Sequence, residues 1–453
     1  MATREQHASV LLLDDPPAVA RPLARARPLA LQRVLQVGLL ATLFFGPLAF
    51  GAVEEWSRAV LQLAAAGLFL VWALGQGFSR RPEVAISPIY LPMAAFALLI
   101  VVQLAFGLTA YGFATSTEFW GYIACGLLFF TAQQCLREDS DLRLFVSTIT
   151  VFGFLLALFA IVQDFSSTDK LYWLRPVRFG GWIYGPYVNH NHYAGLMELL
   201  TPIPLALALS PYSQGPKRAL LAFAGVVMAG SIFLSGSRGG MAAFIVQTIF
   251  FAACLIAQRR GRRPALMLAA FLLLTFTFLI WFGASQISDR LATLHDTWRS
   301  DAVSGRWAIV RDSVSMFTAK PILGWGLGAF PIVYPQFRSF YTNLFVNQAH
   351  NDYVQVLVEM GVLGFAATLA FLALLYRYGL KRQREASGFS HYVRLAALVG
   401  CTGIVVHSLV DFNLHIPANA AWFFVLSALA TARFRGPEEE LLSRRPFGDA
   451  AGN

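Results

Sequence analysis

Charge is scarce in this chain. Asp, Glu, Lys and Arg make up 13% of its 453 residues and hydrophobic residues 57%, where an ordinary water-soluble domain carries about a quarter charged. A soluble globular protein of this size is excluded. Cysteine is scarcer still: Cys125, Cys135, Cys254 and Cys401 each lie in or beside an apolar run, with no CxxC pair. Neither a disulfide scaffold nor a thiolate zinc site is expected. A basic face or tail is also missing. The net charge is +10, but Lys and Arg stand between apolar runs, which argues against nucleic acid as a partner.

Long apolar runs are what the chain has. They occur near 34–53, 59–77, 88–108, 118–135, 144–162, 193–209, 219–235, 239–257, 265–284, 351–376, 392–411 and 418–432. Each approaches the roughly 20 residues that span a bilayer as a helix, so the expected fold is an all-α polytopic membrane protein with about 12 transmembrane helices. Residues 1–33, with Asp14, Asp15, Pro16 and Pro17 ahead of Arg21, Arg25 and Arg27, read as a retained, disordered tail rather than a signal peptide. Residues 433–453 read as a second tail. With the N-terminus cytoplasmic, 24 of the 35 Lys and Arg residues fall on the inner side and 11 on the outer. That excess puts both termini inside.

Two outer connections are long, about 163–192 and 285–350, and rich in Trp, Tyr, Gly and Pro. Long loops of this kind are usually functional. Most of the outer basic residues gather there: Lys170, Arg175 and Arg178 in the first, Arg290, Arg299, Arg306, Arg311, Lys320 and Arg338 in the second, with Arg238 in a tight turn between spans. Either they meet an anionic ligand at the outer leaflet or they are solvated loop charges.

Several segments carry candidate chemistry. Asn189, His190, Asn191 and His192 stand at the mouth of the sixth span beside Trp182, Tyr184 and Tyr187. They offer donors, acceptors and ring faces for sugar, or a helix cap at Asn191. A metal held by His190 and His192 would need non-helical backbone, because residues two apart point apart on a helix. Glu198, about two turns further in, is an ionisable group at membrane depth and so a functional candidate, with an outer arginine as its expected partner. In SGSRGG (235–240), Arg238 precedes a helix start near Gly239, an arrangement suited to phosphate or to simple snorkelling. Residues 305–319 read as an amphipathic helix capped by Ser304, striped by Trp307, Val310, Val314 and Phe317 and stopped by Lys320 and Pro321. Arg306 would then sit in its first turn, where a cation is unfavourable unless an anion is bound. GWGLG (324–328) lacks a preceding strand and reads as a turn, not a dinucleotide loop.

His350, in QAHNDYVQVLVEMG, is the strongest single candidate. Asn351 and Asp352 favour a helix start there, and a helix N-terminus lowers an imidazole's pKa. The neutral ring could take a proton or serve only as a polar cap. His407, Asp411 and His415 recur every four residues; Pro417 argues that the helix ends there, so an outer-edge hydrogen-bond cluster is favoured over a metal triad. Asp139, Ser140 and Asp141 read as a solvated inner turn.

Five segments together resemble the bacterial O-antigen ligase and polymerase superfamily: NHNHYAGLMELLTP (189–202), SGSRGGM (235–241), SGRWAIVRDSVSMF with PILGWGLGAF (304–330), AHNDYVQVLVEMG (349–361) and HSLVDFNLHIPANA (407–420). The resemblance implies a transmembrane glycosyltransferase domain over 34–432 in the bacterial inner membrane, with both long loops and the active site periplasmic. It implies transfer of an undecaprenyl-diphosphate-linked polysaccharide to an acceptor sugar by a metal-independent, inverting reaction without cofactor. The acceptor is lipid A-core for a ligase or another lipid-linked glycan for a polymerase. His350 maps onto the family's catalytic histidine, and Arg238, Arg306 and Arg338 onto its donor-diphosphate arginines. Asn189, His190, Asn191, His192, Glu198, Asn351 and Asp352 are the expected substrate-binding residues. A polysaccharide flippase or other transporter is the alternative of another class; it calls for charged residues at mid-membrane on several helices and paired half-repeats.

Overall fold

The computed structural model describes residues 29–434 except 80–81, 168–169, 178–181, 259–261, 293–300, 343–344 and 387. Nearly all of both expected tails lies outside the described residues. The helices, in chain order, are α1 (Leu29–Leu48), α2 (Glu55–Gly77), α3 (Tyr90–Ala105), α4 (Gly112–Cys135), α5 (Asp139–Ser166), α6 (His190–Leu200), α7 (Pro202–Leu209), α8 (Gly215–Leu234), α9 (Arg238–Ala257), α10 (Arg262–Ala292), α11 (Asp301–Ala319), α12 (Phe330–Val333), α13 (Asp352–Glu385), α14 (Phe389–His407) and α15 (Pro417–Thr431). A small hairpin, β1 (Lys170–Leu171) with β2 (Arg175–Pro176), lies in the first long loop. A helix stands at each of the twelve apolar runs, the sixth being α6 and α7 joined at Thr201 with Pro202 at the start of α7. Among the described residues, eight helices are long and apolar enough to cross a membrane, and Tyr90–Ala105, Ala265–Trp281 and Pro417–Thr431 are shorter apolar helices. The chain is an all-α polytopic membrane protein.

Helices are what such a composition dictates, since in hydrocarbon every backbone polar group must be satisfied within its own segment. The exposed large apolar residues follow from the same solvent: Leu63, Leu70 and Leu74 on α2, Leu91 and Leu98 on α3, and Leu273, Phe276 and Trp281 on α10 point outward. The segment 190–209 and α14 lie at the centre, almost wholly buried. Close approach between them depends on small residues. A Cβ at Gly400 would stand 2.5 Å from the Leu199 carbonyl oxygen.

The two ends of the bundle are tied separately. At one end Gln133 of α4 donates to the Ala428 carbonyl of α15 (2.9 Å), and Arg394 of α14 donates to the Ala432 carbonyl (2.6 Å). The Asp139 to Asp141 stretch lies at this end, and it is not the solvated turn expected. It opens α5, where Glu138 and Asp141 form a reciprocal capping box that satisfies orphan N–H groups.

At the other end the long connections fold onto the helices. α13 is broken at Gly361 (φ 62, ψ −168), a backbone state open to glycine but strained for other residues. Residues 321–328 repair the break. The Val362 and Leu363 N–H groups donate to the Pro321 and Ile322 carbonyls (2.8 and 3.4 Å), and those of Trp325 and Gly326 to the Val358 and Glu359 carbonyls (3.0 and 2.9 Å). GWGLG is thus a strap, with Gly324, Gly326 and Gly328 all at positive φ. Buried Glu359 fastens its far end, accepting from the Gly328 and Phe330 N–H groups (2.9 and 3.1 Å).

α11 corrects three expectations. It begins at Asp301, so Ser304 lies inside the helix and does not cap it. Arg306, five residues in, is beyond the first turn. The buried face is Ile309, Asp312, Ser313 and Met316, while Trp307 and Val314 of the expected stripe are 66% and 52% exposed. The polar pair turns inward because Asp312 accepts from the Tyr334 hydroxyl (3.2 Å) and the Ser339 N–H (2.9 Å).

Candidate active site

The loop 408–416 between α14 and α15 organises the site. α14 ends at His407, so His407, Asp411 and His415 do not share a helix face; each meets a different partner. His407 Nδ1 is 2.8 Å from Glu198 Oε1, which replaces the arginine expected as the partner of Glu198. His415 Nδ1 is 2.6 Å from Asp352 Oδ1, and Asp352 also accepts from the Ser408 hydroxyl (2.7 Å) and the Leu414 N–H (3.2 Å). Asp411, buried, is reached from α6 and from the start of α13.

The mouth of α6 supplies the first half of that arrangement. Asn189, not Asn191, is the N-cap, accepting from the Asn191 N–H (2.9 Å); its extended backbone aims the side-chain oxygen at the first free N–H groups. His190 and His192 are therefore helical and diverge, which rules out their sharing a metal. His190 Nδ1 lies 2.8 Å from the Ser235 carbonyl, with its ring stacked on Trp182. His192 Nε2 lies 3.8 Å from Asp411 Oδ1, and Asn191 Nδ2 donates to Asp411 Oδ2 (2.6 Å).

The start of α13 supplies the second half. Asn351 is the N-cap of α13, accepting from the Tyr353 and Val354 N–H groups (3.0 Å each) and donating to the Leu409 carbonyl (2.8 Å). That fixes His350 just ahead of the helix, at φ 52. A non-glycine residue there is strained, and such strain clusters at functional sites. His350 Nδ1 is buried and faces Asp411 Oδ1 at 4.0 Å, while the Phe412 ring packs edge-on against both His350 and His192. With Nδ1 turned to Asp411, Nε2 is the nitrogen at the other edge of the ring.

Electrostatics divides the two groups. Burial, followed by the nearby charges of Arg306 and His192, lowers the His350 pKa to about 4, against the opposing pull of Asp411. The direction is the one expected from sequence, but burial is the leading cause. Burial would raise the Asp411 carboxyl; His192, His407 and Arg306 outweigh it and hold it well below the usual carboxylate range. At neutral pH a neutral imidazole stands next to a carboxylate.

Arg306 lies on this cluster, its Nη1 3.4 Å from the Val410 carbonyl. Arg238 opens α9, capped by Ser237, whose side chain accepts from the Gly240 N–H (3.1 Å). The glycines after it allow that turn to press on the same loop. A Cβ at Gly239 would meet His407 Nε2 at 2.7 Å and Val410 Cγ2 at 2.9 Å. Arg338 is exposed and lies near Tyr334. Among the described residues no hydrogen bond or ion pair joins it to the cluster.

The structure thus brings together Asn191, His192, Arg306 and His350 directly, with Asn189, Glu198, Asn351 and Asp352 as their supports. Asp411, the carboxylate they surround, and Phe412 were missed as site residues. The signal was in HSLVDFNLH, read from the sequence as an outer-edge hydrogen-bond cluster but not as part of the site.

Residues 223–369 match the family model described as O-antigen ligase. That segment holds Arg238, Arg306 and His350, whereas His192 and Asp411 fall outside it. No curated protein matches the chain. Over this segment, about a third of its length, the chain is similar to the O-antigen ligase family.

Proposed function

We propose that the chain transfers a polysaccharide from undecaprenyl diphosphate to a sugar hydroxyl of lipid A-core at the periplasmic face of the inner membrane. The observation that carries this reading is the convergence of a neutral imidazole, a carboxylate and an arginine from three distant segments: His350, Asp411 and Arg306. His350 Nε2 takes the proton of the acceptor hydroxyl as its oxygen attacks the anomeric carbon. The bond from that carbon to the diphosphate oxygen breaks, and the diphosphate leaves with the electron pair. One displacement inverts the anomeric carbon.

Asp411 then faces the imidazolium as it forms, which stabilises the charged ring. Arg238 and Arg306 stabilise the charge growing on the diphosphate through fixed, planar donors, the work a divalent cation performs in other transferases. The bound diphosphate also raises the His350 pKa from its low resting value, so the base strengthens when the donor is in place. Asn189, Asn191 and the exposed Trp182 ring line the acceptor side.

Purified protein supplied with a lipid-diphosphate glycan and lipid A-core should yield the joined product. His350→Ala should lower turnover by about 10²- to 10⁴-fold, and Arg238→Lys by about 10²-fold, because an ammonium does not reproduce the guanidinium fork. Full activity of His350→Ala would overturn the assignment. Product formed only with a second lipid-linked repeat would make the chain a polymerase, and transport without any glycosidic product would make it a transporter.

A further inference from the structure

A cavity of about 210 Å3 lies among α2, α3, α4, α13 and α15, directly behind Asp352 and His415. None of its lining residues belongs to α6, α8, α9 or α10, the helices on the Arg238 side of the site. Its walls are apolar, with Met93, Phe96, Tyr122, Phe371 and Phe424 among them. Its charged groups stand at the loop end: the Arg58–Glu118 ion pair (2.7 Å) and the Asp352–His415 pair. Two further donors there, Arg58 Nε and Gln62 Nε2, are buried without a hydrogen-bond partner among the described residues. An unmet buried donor is costly unless something occupies it.

We infer that this cavity holds an acyl chain of the acceptor lipid, with the chain's carbonyl oxygen on Arg58 Nε and Gln62 Nε2. The inference rests on the transfer reading above and deepens it. Two lipid-anchored substrates must meet at His350, and the arginines that suit the diphosphate stand on the α9 and α11 side. The second lipid therefore approaches from the opposite side, where the cavity is. Asp352, two residues from His350, forms part of its wall. An acyl lipid carries ester or amide carbonyls at the headgroup end of its chains, and the two unmet donors stand at the loop end of the cavity. A polyprenyl chain has none, so the polar end of the cavity favours an acylated acceptor.

Gly121 offers a clean way to fill the space. It lines the cavity, and a Cβ added there would meet only Gln62 Nε2, at 3.9 Å. Gly121→Phe should raise KM for lipid A-core about tenfold, equivalent to about 1.4 kcal/mol, leave KM for the lipid-diphosphate donor unchanged, and leave transfer to de-acylated core as in the wild type. An unchanged KM for lipid A-core would overturn the inference. The wild-type protein provides a second measurement, in nanodiscs with lipid A-core carrying a diazirine in one acyl chain. Crosslinks are expected at Met93, Tyr122 or Phe371, displaced by unlabelled lipid A-core and not by excess phosphatidylethanolamine. Crosslinks confined to outward residues such as Leu70 and Leu98 would refute the site, and equal labelling by diazirine phosphatidylethanolamine would make it a bulk-lipid site. If the wild type forms no glycosidic product yet crosslinks in the cavity, the transfer reading fails and the acyl site stands.

Discussion

His350 has a low resting basicity for its proposed task, and the environment explains how that becomes useful. Burial keeps the ring neutral, with a pKa of about 4, while Asp411 pulls the other way. In the free protein the acid limb of kcat/KM should therefore fall near pH 4, and in the donor complex the limb of kcat should move upward, because an added anion favours imidazolium. Asp411→Asn removes the carboxylate that raises the His350 pKa, so both limbs should shift to lower pH. Turnover should drop by about 10²-fold, less than for the hydrogen-bonded aspartate of a serine-protease triad, because Asp411 stands 4.0 Å from the ring. A pH–rate profile of the variant decides the point: an acid limb that stays in place or rises would remove Asp411 from the proton transfer.

At the scale of elements, α13 carries an acidic residue, Glu359, at the break that brings the 321–328 strap against it. Gly361 and Gly324 both have positive φ, and a Cβ at either would collide with backbone, that of Ile322 for Gly361 and of Glu359 for Gly324. Gly361→Ala should cost more than the roughly 1 to 3 kcal/mol of backbone strain alone, since the strap must also move. Gly67→Ala is the matched control: that glycine is helical in α2 with nothing within 4 Å of the added carbon, so the change should leave stability equal or raise it by up to about 1 kcal/mol. Thermal unfolding in detergent should show a clear drop in Tm for Gly361→Ala and none for Gly67→Ala. Equal midpoints would mean that the break is not a fixed feature of the fold. The break itself was not legible in the sequence. Gly361 stands in a continuous apolar run, and only the strap, whose backbone hydrogen bonds to α13 cross 33 to 41 residues of chain, shows what satisfies the interrupted backbone.

For the molecule as a whole, the helices were legible because hydrocarbon imposes one local requirement, a long apolar segment, and that requirement is written into consecutive residues. The site was legible only in part. Asn189 to His192 and His350 were visible as polar residues at span ends, but the contacts of Asp411 with them cross 61 to 220 residues of chain, and no local period encodes such pairings. The start of α11 was misplaced because Ser304 is by sequence an acceptable cap, and the buried face runs through Ile309 and Met316 rather than through the stripe of Trp307 and Val314 on which that reading rested. The sidedness of the bundle follows from the same kind of distributed property. An excess of 24 Lys and Arg over 11 supports the proposed orientation, in which the end bearing Glu385 faces the cytoplasm and the end bearing His350 the periplasm. All four native cysteines are buried, so single engineered cysteines report their own positions. Tyr341→Cys, at a site 90% exposed, should react with a membrane-impermeant maleimide in intact spheroplasts. Glu385→Cys, at a side chain 60% exposed on the opposite end, should react only after permeabilisation. The reverse pattern would turn the bundle over, placing His350 and both arginines in the cytoplasm, where the proposed periplasmic transfer could not occur.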